Sequence, residues 1–594
     1  MIEKSMGHTV RTKIVLASAA AAGLLVLSAC AQEGAPPGGY SPGEAAGPSM
    51  RMAGAIPPVQ LASASGKYLA GRYARHSRDF GAAADLFSDA LGVEVGNKHI
   101  RQEAFYSLIA GGRMAEASIL GREIIAINAG APIANLSVVV EDAVAGKYRE
   151  ASDRLTTIPR RGMNTFTAPL LLAWLHAAQG SIDDAVTSLD PLSKVPSFAA
   201  LRYLHLGLIY QLAGRTEEAG DNLSKASEAT QSLRVIQAYG RFLELNGRAD
   251  EAKALYLGFE EKNPGSESFD EDLERLQAGK KPVPFLGGYR DGMAEVFFNL
   301  AGTLAQGRSS ELALIYGRLT LRLRSDFPLA QILLGGMLES LDRGADAAEL
   351  YRAVNPASPL SWSAQLRLAS LLDDLKREDE AISLLKAMAE KDTSRHEPLI
   401  RLGDLLRSKK RFTEATDAYS AAMKRVGTLE RSHWSMLYAR GITYERSDRW
   451  PLAEKDFLQA LELSPDQPFV LNYLGYSWVD KGLYLNRARK MIERAVELRP
   501  NDGYIVDSLG WVLYRLGDYE GATEQLERAV VLRPEDPTIN DHLGDAYWRV
   551  GRLLEAQFQW RRALSLEPEK DQIPIIEQKL NQGLAASESK DRRG

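Results

Sequence analysis

Among 594 residues there is one thiol, Cys30, which excludes an internal disulfide framework, a CxxC redox pair and any cysteine-based zinc site. The eight histidines, at 8, 76, 99, 176, 205, 396, 433 and 542, never fall at metal-ligand spacing, and no HExxH occurs. His176 and His205 sit inside helical stretches and read as packing residues. Neither a GxSxG elbow, a Walker-type glycine loop nor a GxGxxG fingerprint is present. The acidic run Asp270-Glu271-Asp272 reads as a solvated helix face, not a calcium loop. No catalytic residue, metal or cofactor is therefore expected, and the chain reads as a non-enzyme. With 45% hydrophobic and 25% charged residues the composition is that of globular protein, and a net charge of −5 lacks the basic excess that nucleic-acid binding needs.

The position of Cys30 matters more than its rarity. Lys4, Arg11 and Lys13 precede an apolar run, Ile14 to Leu27, which has the charged start and short apolar stretch of a secretory signal. At 1.5 Å per residue that run spans about 21 Å, short of a bilayer core of about 30 Å. Leu27-Ser28-Ala29-Cys30 follows directly and resembles the lipobox of bacterial lipoproteins. The resemblance implies cleavage before Cys30 and lipidation of that residue. Ala31, in place of the Asp of the inner-membrane retention signal, implies a periplasm-facing outer-membrane location. Residues 31 to 58 hold six Pro and six Gly, too little apolar surface to offset ordering entropy. They read as a tether of roughly 30 Å.

The elements that follow are one motif repeated. Leu543-Gly544 and Tyr547 are followed by Ala556, Trp560, Ala563 and Pro568. The same spacing runs back through Leu509-Gly510 with Ala522 and Leu526, Leu474-Gly475 with Ala488 and Ile492, and Gly441 with Ala453 and Phe457. This resembles the tetratricopeptide repeat, LG..Y then A...F..A then P. The second-helix alanine recurs fourteen times, from Ala83 to Ala556, mostly at 34-residue steps, with one step of 61 between Ala252 and Ala313. Two helices that cross closely leave room only for Gly or Ala on the first and Ala on the second, while a Leu or aromatic four residues later fills the gap. Phe105 and Val139 break the first-helix rule, so irregular second and third repeats are expected.

The expected fold is all-α, a right-handed tetratricopeptide solenoid of about fourteen hairpins in two blocks. A signal peptide (1–29) and the lipidated tether (30–60) lead into six repeats (61–263), a linker with a short helix (264–290), eight repeats (291–570), then a capping helix and polar tail (571–594). In such arrays the first helices line a concave face. The offsets that line it place Tyr438, Arg446, Asn472, Tyr476, Asp507, Trp511, Tyr514, Arg515, Asp541, Asp545, Trp548 and Arg549 in a protein-binding groove. Tyr, Trp and Arg there suit an interface centre. The first block presents Tyr68, Arg72, Arg75 and His76, then Leu204, Leu208 and Leu212, read either as a second partner or dimer surface or as buried packing.

Residues 430 to 570, with NYLGYSWVDKGLYLNRARKMIERAVELRPNDGYIVDSLGWVLYRLGDYEGA at their centre, look like the long tetratricopeptide outer-membrane lipoproteins of proteobacteria. That resemblance implies a scaffold for periplasmic or envelope proteins, with adaptors that bring peptidoglycan hydrolases to a carboxy-terminal processing protease among its members. Assembly or pilot factors for secretin, barrel or exopolysaccharide machinery share the architecture.

Overall fold

The computed structural model describes residues 63–264, 268–305 and 310–584. The expected signal, Cys30 and tether lie outside these residues, as does the tail beyond 584. Among the described residues every regular element is helical. Fourteen helical hairpins follow one another, from Ala64–His76 with Phe80–Val93 to Pro537–Arg549 with Leu553–Ser565, and a last helix, Ile573–Gln582, follows them. No described helix is long and apolar enough to cross a membrane.

The hairpins pair because the backbone of the first helix lies directly on a large side chain of the second. A Cβ built on Gly403 would come within 2.6 Å of the Tyr419 ring, on Gly441 within 2.6 Å of Phe457, on Gly335 within 2.5 Å of Tyr351 and on Gly544 within 2.5 Å of Trp560. Real Cβ atoms do not approach that closely, so these sites admit only glycine. The alanine four residues before each ring is fully buried, as at Ala415, Ala453, Ala347 and Ala556. The ring's polar tip is then paired. Tyr419 donates to Asp404 Oδ1 at 2.7 Å, Trp560 Nε1 to Asp545 Oδ1 at 2.9 Å, Tyr256 to Glu244 at 2.8 Å, and Tyr351 to Glu339.

The second repeat is regular despite Phe105, because its bulk has changed sides. Gly121 stands where the second helix would carry its large residue, and a Cβ there would meet the Phe105 ring at 3.3 Å. Irregularity falls on the third repeat, as expected, and on the fourth, which was not. Tyr148–Thr157 is cut to 10 residues ahead of Pro159, whose ring disfavours helical backbone just before it. Ile182–Ser188 and Asp190–Ser193 are two pieces of one helix broken at Leu189, beside Pro191, which cannot donate a helix hydrogen bond.

Contacts divide the described chain into two compact units, 63–378 and 379–584. The sequence puts its discontinuity at 264–290, and the structure shows why the division comes later. In unit one the seventh repeat, Tyr289–Ala305 with Ser310–Leu323, packs against the first helices of repeats two to five. The repeat-eight turn then meets repeat one, where Arg343 donates to the Arg78 carbonyl at 2.6 Å and stacks on Phe80. The crossing segment caps repeat six on the way. Phe269 stacks on Tyr256 with centroids 4.5 Å apart, and Arg275 bridges Asp272 and Glu244, each at 2.6 Å. Asp272, expected on a solvated face, is therefore buried and paired, because Arg275 and Arg241 surround it.

Replacing Gly403 with Val should destabilise unit two by about 3 kcal/mol, since the branched side chain overpacks against Tyr419. Urea denaturation of the full chain measures this, and Gly427→Ala, where a Cβ meets nothing within 4 Å but φ is +74°, should cost less.

Candidate protein-binding surface

The concave positions of unit one are occupied by the chain itself. Leu204 and Leu208 are buried beside the seventh repeat, which resolves them as packing residues. Within Tyr289–Ala305 ten residues are buried, Glu295 among them. Arg234 holds both Glu295 oxygens from between the Phe285 and Phe327 rings, 4.1 and 5.2 Å from its guanidinium carbon. A Cβ on Gly292 would collide with the Trp174 indole, whose Nε1 donates to His205 Nδ1 at 2.9 Å. Burial pulls the His205 pKa down to about 3, so it packs as a neutral ring. Arg322 forks onto Glu141 at 2.6 and 2.8 Å, Arg318 Nε caps the helix ending at Ala110 through its carbonyl at 3.2 Å, and Arg75 pairs with Glu103 and with Glu311 of the seventh repeat.

Magnitude decides what this hairpin is. Met293, Val296, Phe297, Leu300, Tyr316 and Leu319 are all at most 3% exposed. At about 1.5–3 kcal/mol each, these six side chains contribute a gross burial of roughly 9–18 kcal/mol before the entropy of ordering is set against it. The hairpin is core, and the interior of unit one is closed to partners.

Unit two is different. Its first helices, Glu397–Ser408, Trp434–Glu445, Pro468–Asp480, Gly503–Arg515 and Pro537–Arg549, carry all twelve groove candidates except Arg446, which caps the second of them. Four of the twelve are buried. Tyr438 packs edge-on to Tyr473 at 5.9 Å. Asp507 faces His542 Nδ1 at 3.0 Å, and Asp541 and Asp545 both accept from Lys579 of the terminal helix, at 2.8 and 2.9 Å. Trp511 stacks parallel to Tyr514 (5.0 Å, 7°) and to His542 (4.1 Å, 17°) and is half-buried. Arg549 Nε donates to the Tyr514 hydroxyl at 3.2 Å. Trp548 leans on Trp560 with centroids 5.4 Å apart. Arg446, Arg515, Tyr476 and Asn472 retain exposed or half-buried surface, with Arg515 at 4.0 Å from Asp480. The Asn472 amide oxygen is buried without a hydrogen-bond donor.

Two residues of this surface escaped the sequence reading, His542 and Lys579. The first was findable, because Asp507 and His542 are 35 residues apart, which sets them side by side on successive first helices. Among the described residues no group of three or more His, Cys, Asp or Glu is arranged to hold a metal ion.

Residues 510–551 match a family model for the TPR repeat, and residues 338–436 one for a tetratricopeptide repeat-like domain. A TPR repeat-containing protein of Pseudomonas aeruginosa is 36% identical over 83 residues, 14% of each chain. Among solved structures, a tetratricopeptide repeat protein from Parabacteroides merdae aligns with 42% of this chain and 96% of its own at 16% identity and TM-score 0.35. The Cut9–Hcn1 hetero-tetramer of the APC/C aligns with 88% of this chain and 96% of its own at 15% identity and TM-score 0.36. Repeat matches and helical hairpins together make the chain a tetratricopeptide-repeat protein.

Two outcomes follow from the buried charges. Glu295→Ala leaves Arg234 buried without its counter-ion and should cost about 3–5 kcal/mol in urea denaturation. For His542, burial by itself favours the neutral ring, but the facing Asp507, with Asp541 and Asp545 behind it, outweighs that and raises the pKa. A raised histidine pKa stabilises the fold fully below about pH 6.5, and the gain is lost as pH climbs through the raised folded value. Thermal unfolding should therefore show stability falling from about pH 6.5 upward, with that slope flattened in Asp507→Asn.

Proposed function

We propose that this chain is a membrane-tethered, non-enzymatic scaffold that holds periplasmic or envelope proteins on the concave face of unit two. Lipidated Cys30 would anchor it to the outer membrane, facing the periplasm, with residues 31–60 as the tether. One observation carries the reading: the interior of unit one is filled by the helices Tyr289–Ala305 and Ser310–Leu323, whereas unit two keeps Tyr476, Trp511, Tyr514, Arg446 and Arg515 at its concave surface, partly open to solvent. Aromatic edges flanked by arginines bury large area at low rotamer cost and offer directional hydrogen bonds. The resemblance of residues 430 to 570 to proteobacterial tetratricopeptide lipoproteins supports a specific role, recruitment of a carboxy-terminal processing protease and its peptidoglycan-hydrolase substrates.

Photo-crosslinking in cells tests this. A crosslinker at position 476 or 515 should yield protein adducts, one at Leu208 in unit one none, and Arg515→Glu should reduce adduct formation at 476 by about thirtyfold if Arg515 contributes near 2 kcal/mol. In the same cells Cys30→Ser should abolish incorporation of labelled palmitate and release the protein from the membrane fraction. Equal adducts from both units would overturn the assignment of the surface.

A further inference from the structure

The terminal helix Ile573–Gln582 packs on the last hairpin of unit two without a second helix of its own. Ile576 is its one buried residue, against ten in Tyr289–Ala305. Its polar hold is a single ammonium: Lys579 Nζ donates to both Asp541 oxygens, at 2.9 and 2.8 Å, and to Asp545 Oδ2 at 2.9 Å. Around that seat Trp548 lies so close to Gly583 that a Cβ there could not fit, and Asp545 is also braced by Trp560 Nε1. Asp541 and Asp545 are 8% and 4% exposed, and they occupy offsets of the concave row at which a bound segment would be read. The carboxylates thus belong to the repeats, the cation to a lightly attached segment, and a buried carboxylate pair needs a cation from somewhere.

We infer that the concave end of the last repeat is a receptor for a lysine-bearing helical segment of a partner protein, and that the chain's own C-terminal helix fills it in the resting state. The partner's chemistry is read from the resident: an apolar residue to replace Ile576, a lysine three positions on, and an apolar residue next to it, as in Leu580. A second segment carrying this pattern exchanges with the resident, so that engagement of the groove and release of the terminal helix are the same event. This rests on the reading of unit two as the protein-binding unit.

The test uses the full chain and, as probe, a fluorescein-labelled peptide of residues 571–584. The unaltered protein, its seat filled, should take up little peptide. Ile576→Asp, which frees the helix and leaves the carboxylates intact, should bind it saturably in fluorescence anisotropy. Binding should weaken at least tenfold when the peptide's lysine is alanine, or when Asp541→Asn and Asp545→Asn are added to the protein. Lys579→Ala serves as a second, milder release and should bind the peptide more weakly than Ile576→Asp does. Circular dichroism should show both variants folded. A folded Ile576→Asp protein that ignores the peptide, or that binds lysine and alanine peptides alike, overturns the proposal. So does a collapse of helical signal in both variants, which would make the helix a permanent part of the core. Because the peptide is the chain's own, this result is independent of whether crosslinks at 476 survive Arg515→Glu, which tests the groove reading itself.

Discussion

The contact on which everything else depends is a backbone laid against a ring. In repeat after repeat the first helix passes so close to the second that no Cβ fits between Gly335 and Tyr351, Gly403 and Tyr419, Gly441 and Phe457, or Gly544 and Trp560. Interiors are packed to crystal density, so each such approach fixes the crossing of its hairpin and hands the next repeat a defined surface. The rule is about volume, not residue type, as Phe105 and Gly121 show by exchanging roles. The Tyr and Trp rings also bring a polar tip into the interior, and the carboxylate that receives it, Asp404 for Tyr419, Glu244 for Tyr256, Glu339 for Tyr351 and Asp545 for Trp560, comes from the first helix that the ring supports.

From identical hairpins the two units reach different ends. In unit one, the crossing that carries Phe269 and Arg275 redirects the chain, and the seventh repeat lands on the first helices of its predecessors. The ion pair of Arg234 with Glu295 shows how complete the enclosure is, since a charge in that position survives only with its partner and its flanking rings. Among the described residues nothing comparable fills unit two, whose concave row ends in a short helix held by Ile576 and Lys579. A closed interior confers stability and an open one leaves binding surface, and the amount of buried apolar area is what separates them.

Much of the candidate surface was legible from spacing. The offsets that put Trp511 beside Tyr514, and Asp541 beside Asp545, follow from 3.6 residues per turn on a helix whose buried side is known from its glycine. Occupancy was not legible. Asp507, Asp541 and Asp545 look like groove carboxylates in the sequence, yet His542 faces the first and Lys579 holds the other two. Likewise Asp272 reads as solvated until Arg275 and Arg241 close on it. Which cation meets which carboxylate depends on the placement of segments that the repeat period does not describe.

The sequence by itself determined the helical hairpins, their number and their buried sides, because a 34-residue period with glycine, alanine and a large residue at set positions encodes local crossings that each hairpin satisfies alone. It also determined where the period breaks. Only the tertiary structure decided that the segment after the break folds back to fill unit one, leaving unit two with an accessible row of aromatic and arginine side chains. The reason is that filling is a matter of long-range shape: the path of Phe269 to Tyr289 sets the direction of repeat seven, and no local pattern records what a helix will meet hundreds of residues away.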